Sequence, residues 1–367
     1  MSERIRIGII GCGQIAQHHM NTYSEIEGAE MVAFADVNEE AARSSAEKFG
    51  VKNYTTNFRE LLGRDDIDAV DVCLHNNFHM PATVAVLEAG KHAYCEKPMA
   101  GSYRDAVTMF ETAKQAGKEL HIQLSTLYAN ETRAAKELID LGELGEVYHA
   151  RSSGHRRRGR PFVDGYGTPT FVQKRNSAGG ALYDMGVYHI SRCLYLLGNP
   201  TPTRISGKTY QKVEMDSKRR EVSSYDVEEM GLGFVRFGGG SSLDIFETWA
   251  ANLDKVDGTV ILGSKGGVRL DPFSFFKNYG NLEMNATANL GSAEFRWRNV
   301  VGDHHHYESS QAHWIAALQG KVELLPTAQI ALNTMLISEG IYMSQREDRE
   351  VSAAEVLEAS ASTAVPI

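Results

Sequence analysis

RIRIGIIGCGQIAQHHMNTYSEIEGAEMVAFAD, residues 4–36, opens on an apolar run, turns through two glycines, continues at helical spacing and closes on a second apolar run that ends in an aspartate. Both runs have the texture of strands buried on two faces, as in a parallel sheet. Between strand and helix, Gly11, Gly13 and Ala16 form a Gly-x-Gly-x-x-Ala turn. Such a turn brings backbone N–H groups and the positive end of a helix up to a pyrophosphate, and a side chain on either glycine would obstruct that approach. Gln14 and Ile15 lie within the same turn, GCGQIA. Asp36 stands where a carboxylate accepts hydrogen bonds from a ribose diol, and the same acid repels a 2′-phosphate. Val37 and Asn38 offer no cation to hold one, so the cofactor predicted is NAD rather than NADP. A tight turn followed by a surface aspartate is the plain alternative.

The alternation runs on as far as Gln123. DAVDVCL, HAYCE and ELHIQL read as further buried strands, with EEAARSSAEKFG, HMPATVAVLEAG and SYRDAVTMFETAKQAG as helices between them. Gly50, Gly90 and Gly117 stand just past the last periodic residue of a helix, and Ser102 with Asp105 has the form of a capping pair. This predicts an α/β fold class with a doubly wound sheet at the N-terminus. After NETRAAKELIDLG the texture changes. GLGFVRF and SSLDIFETW flank glycines 238–240 as an antiparallel hairpin, and TVILGSKGGVRL repeats the form. Two strong helices follow the change, ALYDMGVYHISRCLYLLG and TAQIALNTMLISEGIYMSQ. The predicted domains are a dinucleotide-binding domain over 1–126 and an α+β domain over 127–367.

Composition narrows the function. A length of 367 residues suits two cores, and 42% hydrophobic with 23% charged residues is ordinary for a globular chain, with fraying expected only at the last few residues. A net charge of −9 argues against nucleic-acid or anionic-membrane partners, which need an excess of Lys and Arg. The hydrophobic run at the start is too short for a signal peptide and none is long enough for a membrane span, so a cytoplasmic location is expected. Cys12, Cys73, Cys95 and Cys193 are scattered without Cys-x-x-Cys pairing and read as buried thiols.

YCEKPMAG, residues 94–101, ends a strand on the side where ligands of doubly wound sheets bind. Lys97, flanked by Glu96 and held by Pro98, is either a positioned ammonium beside the nicotinamide or a salt-bridged lysine before a helix. GGALYDMGVYHI, residues 179–190, follows later with an aspartate, a tyrosine and a histidine. The succession of GCGQIA, Asp36, EKP, GGALYDMG and the GIYMSQREDREV tail resembles the Gfo/Idh/MocA family of NAD(P)-dependent sugar oxidoreductases over nearly the whole chain.

That resemblance implies a Rossmann domain followed by a domain with an open, mainly antiparallel sheet, whose outer face often mediates homo-oligomers: dimers, tetramers or higher. It implies that Lys97 contacts substrate and nicotinamide, and that the Lys97–Pro98 peptide is cis. The family's Asp-x-Gly-x-His motif falls on Asp184, Gly186 and Tyr188, and tyrosine at that position resembles the branch that includes glucose-fructose oxidoreductase. Residues i and i+4 share a helical face, which favours Tyr188 as the acid/base beside Asp184; His189 projects about 100° away unless the helix start is irregular. His189 has the more convenient intrinsic pKa and stays open as an alternative. LHNNFH keeps Asn76 and His79 of the family's cofactor segment, with Leu74 and His75 where Thr and Pro usually stand. The arginine often found after the sixth strand is missing, with Gln123 and Tyr128 as replacements.

Two polar clusters remain. GHRRRGRPF, residues 154–162, is a basic run that reads as a solvated loop or subunit contact, with substrate binding as the alternative. DHHHYESSQAHW, residues 303–314, puts three histidines on what reads as an extended loop, where they point apart and form no metal site. The function expected is hydride transfer between a secondary alcohol of a sugar, glycoside or cyclitol and NAD. Sugar–sugar transfer with NAD recycled in place is an alternative, and a non-catalytic NAD- or sugar-sensing regulator is the alternative of another class.

Overall fold

Five apolar runs of the N-terminal part and one short polar segment, Asn53–Thr55, pair in parallel. They are β1 (Ile5–Ile10), β2 (Ala29–Ala35), β3 (Asn53–Thr55), β4 (Ala69–Val72), β5 (His92–Cys95) and β6 (Leu120–Ile122), in the spatial order β3-β2-β1-β4-β5-β6. Between them run α1 (Gln14–Glu25), α2 (Glu39–Phe49), α3 (Phe58–Leu62), α4 (Asn76–Glu88) and α5 (Tyr103–Ala116). A computed structural model describes residues 4–159, 169–301 and 304–367 of the chain. The order reverses between β1 and β4, the place where open α/β sheets bind ligands. Local chemistry sets the helix ends as expected. The Ser102 hydroxyl accepts the Asp105 N–H at 3.2 Å to start α5, and Gly117 ends it in the left-handed region at φ 61°.

Contacts divide the chain into two units: Met1–Gln123 with Asp303–Gln329 and Ser362–Ile367, and Leu124–Gly302 with Ile330–Ala361. The division is thus not the single cut at 126/127. The reason lies in the helix Ser310–Leu318, whose Trp314 and Ile315 are buried in the core of the first unit with Ile7, Ile9, Phe34 and Tyr94. His121 of the β6 strand packs against both Tyr94 and Trp314, with ring centroids 5.3 and 5.6 Å away, and those two rings also touch each other at 6.0 Å. Its Nε2 meets the Ser310 hydroxyl at 3.0 Å and its Nδ1 the Thr327 hydroxyl at 3.0 Å. The last residues are also tied down rather than frayed: Thr363 donates its N–H to Asp105 and its hydroxyl to Asn77, each at 2.9 Å.

The second unit is built on nine strands. β7 (Val147–His155), β8 (Pro202–Tyr210), β9 (Met230–Phe237), β10 (Ser242–Thr248), β11 (Val260–Gly263), β12 (Gly267–Arg269), β13 (Ser274–Tyr279), β14 (Leu282–Ala286) and β15 (Val351–Ser352) lie in the order β14-β13-β12-β11-β7-β10-β9-β8-β15. All pairs are antiparallel except β7 with β10. The expected hairpins are present as β9–β10 and β11–β12. One face carries the helix Val187–Leu196 and the helix Thr327–Glu347 from Ile330 onward. Gly207 and Gly233 let that second helix approach, since a Cβ on either would stand 2.8 or 2.6 Å from Ile341. The other face presents Leu232, Phe234, Phe246 and Leu262. Among the described residues no helix is long and apolar enough to cross a membrane.

Candidate active site

In the first unit, Gly11 has φ +93° and a Cβ there would lie 2.3 Å from the Cys73 carbonyl oxygen. Only glycine lets β1 turn so close to the neighbouring strand end. Gly13 precedes α1 without a side-chain cap, and a Cβ on it would face open space. The helix therefore offers its first N–H groups to a ligand, beside Gln14 and Ile15. Asp36 follows β2; its Oδ2 accepts the Cys12 N–H at 2.7 Å and its Oδ1 the Asn38 N–H at 2.8 Å. The carboxylate is thus fixed against the glycine turn, with lone pairs left for a diol. Asn38 is committed to α2, accepting from the N–H of Glu40 and Ala41. A turn without side chains, a helix start without a cap and a fixed acid together fit NAD.

Asn76 begins α4 and is buried. His79, one turn on, has Nδ1 2.7 Å from the Pro98 carbonyl and Nε2 3.0 Å from the Leu74 carbonyl. Its polar atoms thus face the protein's own backbone, and burial holds its imidazole below the ordinary pKa. The Lys97–Pro98 peptide is cis. Glu96 is buried; its Oε2 accepts the Lys97 N–H at 2.8 Å and its Oε1 lies 2.9 Å from His19 Nε2. His19 was not singled out from sequence. It belongs to the buried stripe Ala16, His19, Met20, Tyr23 of α1 and meets Asp71 on its other side at 2.8 Å. A histidine within an apolar stripe and an aspartate inside the buried strand AVDV were the available signals.

In the second unit, GGALYDMGVYHI begins with a carboxylate cap. Glu228 accepts the Gly180 N–H at 2.9 Å, the Leu182 N–H at 3.0 Å and the Tyr342 hydroxyl at 2.8 Å. A Cβ on Gly180 would stand 1.9 Å from the Glu228 carbonyl oxygen, which explains the small residue at this turn. Burial pushes the Glu228 carboxyl above its usual range against these donors. Leu182–Gly186 then form one turn of π-helix before Val187–Leu196 continues as α-helix. A π turn closes i to i+5 rather than i+4, so counting α-helical steps of four from Asp184 does not settle which later residue shares its face. Asp184 is buried and its Oδ2 accepts the Trp249 Nε1–H at 2.9 Å.

Tyr188 and His189 both line a cavity of about 590 Å³, together with Thr126, Ser153, Gly154 and Arg156. His189 Nδ1 lies 2.9 Å from Oε2 of Glu247, whose side chain is fully buried, and Glu247 Oε1 accepts the Ser152 hydroxyl at 2.6 Å. Facing a carboxylate, Nδ1 carries the proton of the neutral ring, which leaves Nε2 as the basic atom. Glu247 was missed from sequence, although the alternation Leu243, Ile245, Glu247 puts an acid on the inward face of β10. Tyr188 accepts the Thr126 hydroxyl at its carbonyl oxygen, 2.8 Å away.

The other candidates separate. Arg156 borders the cavity, Arg157 and Arg158 are exposed, and Arg160 lies outside the described residues. Gln123 is buried with its Oε1 accepting the Tyr94 hydroxyl at 2.6 Å. Tyr128 ends a short 3-10 turn, Ser125–Tyr128. His304–His306 form a 3-10 turn instead of an extended loop.

Residues 5–124 match the description "Oxidoreductase family, NAD-binding Rossmann fold", and residues 132–269 match "GFO/IDH/MocA C-terminal domain". A D-glucoside 3-dehydrogenase of Escherichia coli K12 is 29% identical over 352 residues, 94% of this chain and 96% of the relative. A D-apiose dehydrogenase of Paraburkholderia graminis is 24% identical, covering 95% and 90%. In fold, the chain is similar to a levoglucosan dehydrogenase solved with NADH and levoglucosan, with a TM-score of 0.80, 20% identity and coverage of 96% and 100%.

Proposed function

The chain belongs to the Gfo/Idh/MocA oxidoreductase family, and from this premise we propose that it moves a hydride between a secondary alcohol of a sugar, glycoside or cyclitol and NAD. Gly11, Gly13, Gln14 and Ile15 hold the pyrophosphate, Asp36 the ribose diol, and Asn76 the nicotinamide end. Bound NAD supplies the hydride acceptor, C4 of its nicotinamide. Oxidation of an alcohol then needs a base on the protein, and His189 takes the hydroxyl proton at Nε2 while Glu247 holds its Nδ1 proton. Lys97 supplies the cation that stabilises the developing negative charge on the reacting oxygen. Tyr188, on the same cavity wall, orients the sugar, and Asp184 fixes the helix start through Trp249.

The observation that carries this reading is the buried Glu247 held on one side by Ser152 and bonded on the other to a histidine at a cavity wall. A sensor without chemistry has no use for such an arrangement. The glycoside and cyclitol members of the substrate class are supported by relatives, among them the glucoside 3-dehydrogenase and a myo-inositol 2-dehydrogenase of Thermotoga maritima, 29% identical over 194 residues. Four buried, unpaired cysteines support a reducing, cytoplasmic setting, and the apolar outer face of the second sheet supports a homo-oligomer.

Two measurements test the proposal. Methyl glucosides, free sugars and inositols are added with NAD, and NADH is followed by absorbance; one or more should give turnover. Protein that carries dinucleotide through purification and releases no NADH would instead indicate transfer from one sugar to another. His189→Gln should lower kcat by about 10²–10⁴-fold, the range for loss of a general base, and Tyr188→Phe by less than about tenfold. The reverse ranking would make the tyrosine the proton acceptor.

A further inference from the structure

Beneath the Lys97 turn lies a charged group that the function proposed above does not use. His19 is fully buried, with Nδ1 2.8 Å from Asp71 Oδ2 and Nε2 2.9 Å from Glu96 Oε1. An ionised carboxylate can only accept, so with a carboxylate on each side both ring nitrogens donate and the ring is an imidazolium. The groups that face it are Asp71 of β4 and Cys73 just past it, Tyr94 of β5 and Glu96 just past it, and His18 beside it on α1, with Tyr23 of α1 against Asp71. Cys73 Sγ is 3.4 Å from both His19 Nδ1 and Asp71 Oδ1. Burial opposes charge on the ring, but the acidic neighbours Cys73 and Asp71 prevail and hold its pKa well above the ordinary value. Against its own burial, Glu96 is held below the usual carboxylate range by the hydrogen bond and charge of His19 and by the charge of Lys97.

The geometry continues outward. One oxygen of Glu96 is held by His19 and the other accepts the Lys97 N–H at 2.8 Å. On the far side, His79 holds the Pro98 carbonyl at 2.7 Å. The backbone is thus tied both before and after the Lys97 side chain. We infer that His19 is a positioning residue for the reaction: bonded to Asp71 and Glu96, it fixes the Glu96 carboxylate and, through it, the backbone from which Lys97 projects. The inference rests on the role given to Lys97 above.

The test uses the full chain with NAD bound. Amide hydrogen exchange is measured by NMR in the native protein and in His19→Gln. Exchange at the Lys97 N–H should quicken at least tenfold, while amides of β1 and the affinity for NAD stay within threefold. Equal exchange at Lys97 in the two proteins overturns the inference. With methyl β-D-glucopyranoside as the probe, His19→Gln should lower kcat at least tenfold with KM within threefold in the native background, but less than twofold in a Lys97→Ala background. An equal loss in both backgrounds assigns His19 a general structural role and overturns it. Full activity of Lys97→Ala overturns the reading of Lys97 itself, which the exchange result distinguishes. Should His19→Gln not fold, ring ¹⁵N shifts of the native protein decide: both His19 nitrogens protonated at pH 8 is expected, and a neutral ring overturns the inference.

Discussion

Gly154 shows how much a single hydrogen atom decides at this site. It lies beside Glu247 in the parallel β7–β10 pair, and a Cβ on it would stand 2.1 Å from Glu247 Oε2 and 2.6 Å from His189 Nδ1. Gly154→Ala must therefore push the imidazole off its carboxylate or turn the carboxylate away from Ser152. The expected outcome is a folded protein that binds NAD normally and loses at least about tenfold in kcat, because the base is no longer held in the right tautomer. Steady-state rates with an equilibrium NAD titration check this, and an unchanged kcat would remove the dyad from the chemistry. At this scale the first turn was the most legible, since a local strand–turn–helix pattern already implies the backbone turn at Gly11 and Gly13 and the fixed acid at Asp36, to which we assign the cofactor. Glu247, Ser152 and His19 were not read out, because the arrangement of each depends on a partner 52 or more positions away: Ser152 and Glu247 are 95 residues apart, His189 and Glu247 58, His19 and Asp71 52.

Among the elements, two departures have clear physical causes. The π turn Leu182–Gly186 cannot be read from apolar spacing, because the helix is buried throughout its start and no polar face reveals the period. The helix Ser310–Leu318 escaped for the same reason: Ser310–Ile315 and Ala316 are all buried, so the stretch lacks the alternation of an amphipathic helix. Its docking carries a pH signature. Burial pushes the His313 imidazole down to about 4, and its Nε2 accepts the Leu325 N–H at 2.9 Å. In the unfolded chain the same ring titrates near 6.5. Between these values the unfolded state binds a proton that the folded state refuses, so the stabilisation is complete above about 6.5 and is lost as the pH falls toward 4. His121, held well below its ordinary value by burial, adds in the same direction. His19 has the opposite sign, with a raised pKa, and its contribution fades only on the alkaline side. Urea denaturation followed by tryptophan fluorescence should show stability falling by about 2 kcal/mol from pH 7 to pH 4.5 from His313. His313→Gln should flatten that slope, and an unaltered slope would assign the acid sensitivity elsewhere.

For the whole molecule, five strands of the first sheet were legible because each is an apolar run separated from the next by a helix, which leaves few topologies, whereas β3, the short and largely exposed NYT, carries no such run and was not read out. The second was legible as a class but not in its order. Its centre is the parallel pair β7–β10, joining residues 147–155 to 242–248, and no turn chemistry announces a pairing across that distance. Burial of Glu247 against Ser152 and His189 helps fix this register, so the strand order and the candidate catalytic dyad depend on each other. Among the described residues, the opposite face of the same strands is partly exposed. Leu232 and Phe246 pair directly across β9 and β10, Phe234 is 40% exposed and Leu262 36%, with Arg151 and Asp244 joined among them at 2.7 Å. An apolar patch on a sheet face, bordered by an ion pair, suits a second copy of the same surface related by a two-fold axis. Light scattering on the eluting protein should give a multiple of the single-chain mass. Phe234→Glu would bury like charges against each other at that contact and should shift the protein to the single-chain mass while the secondary structure is retained. Because Phe234 points away from the His189 face, an intact NAD affinity in that monomer would separate assembly from cofactor binding, and a variant that keeps the native mass would move the contact to another surface.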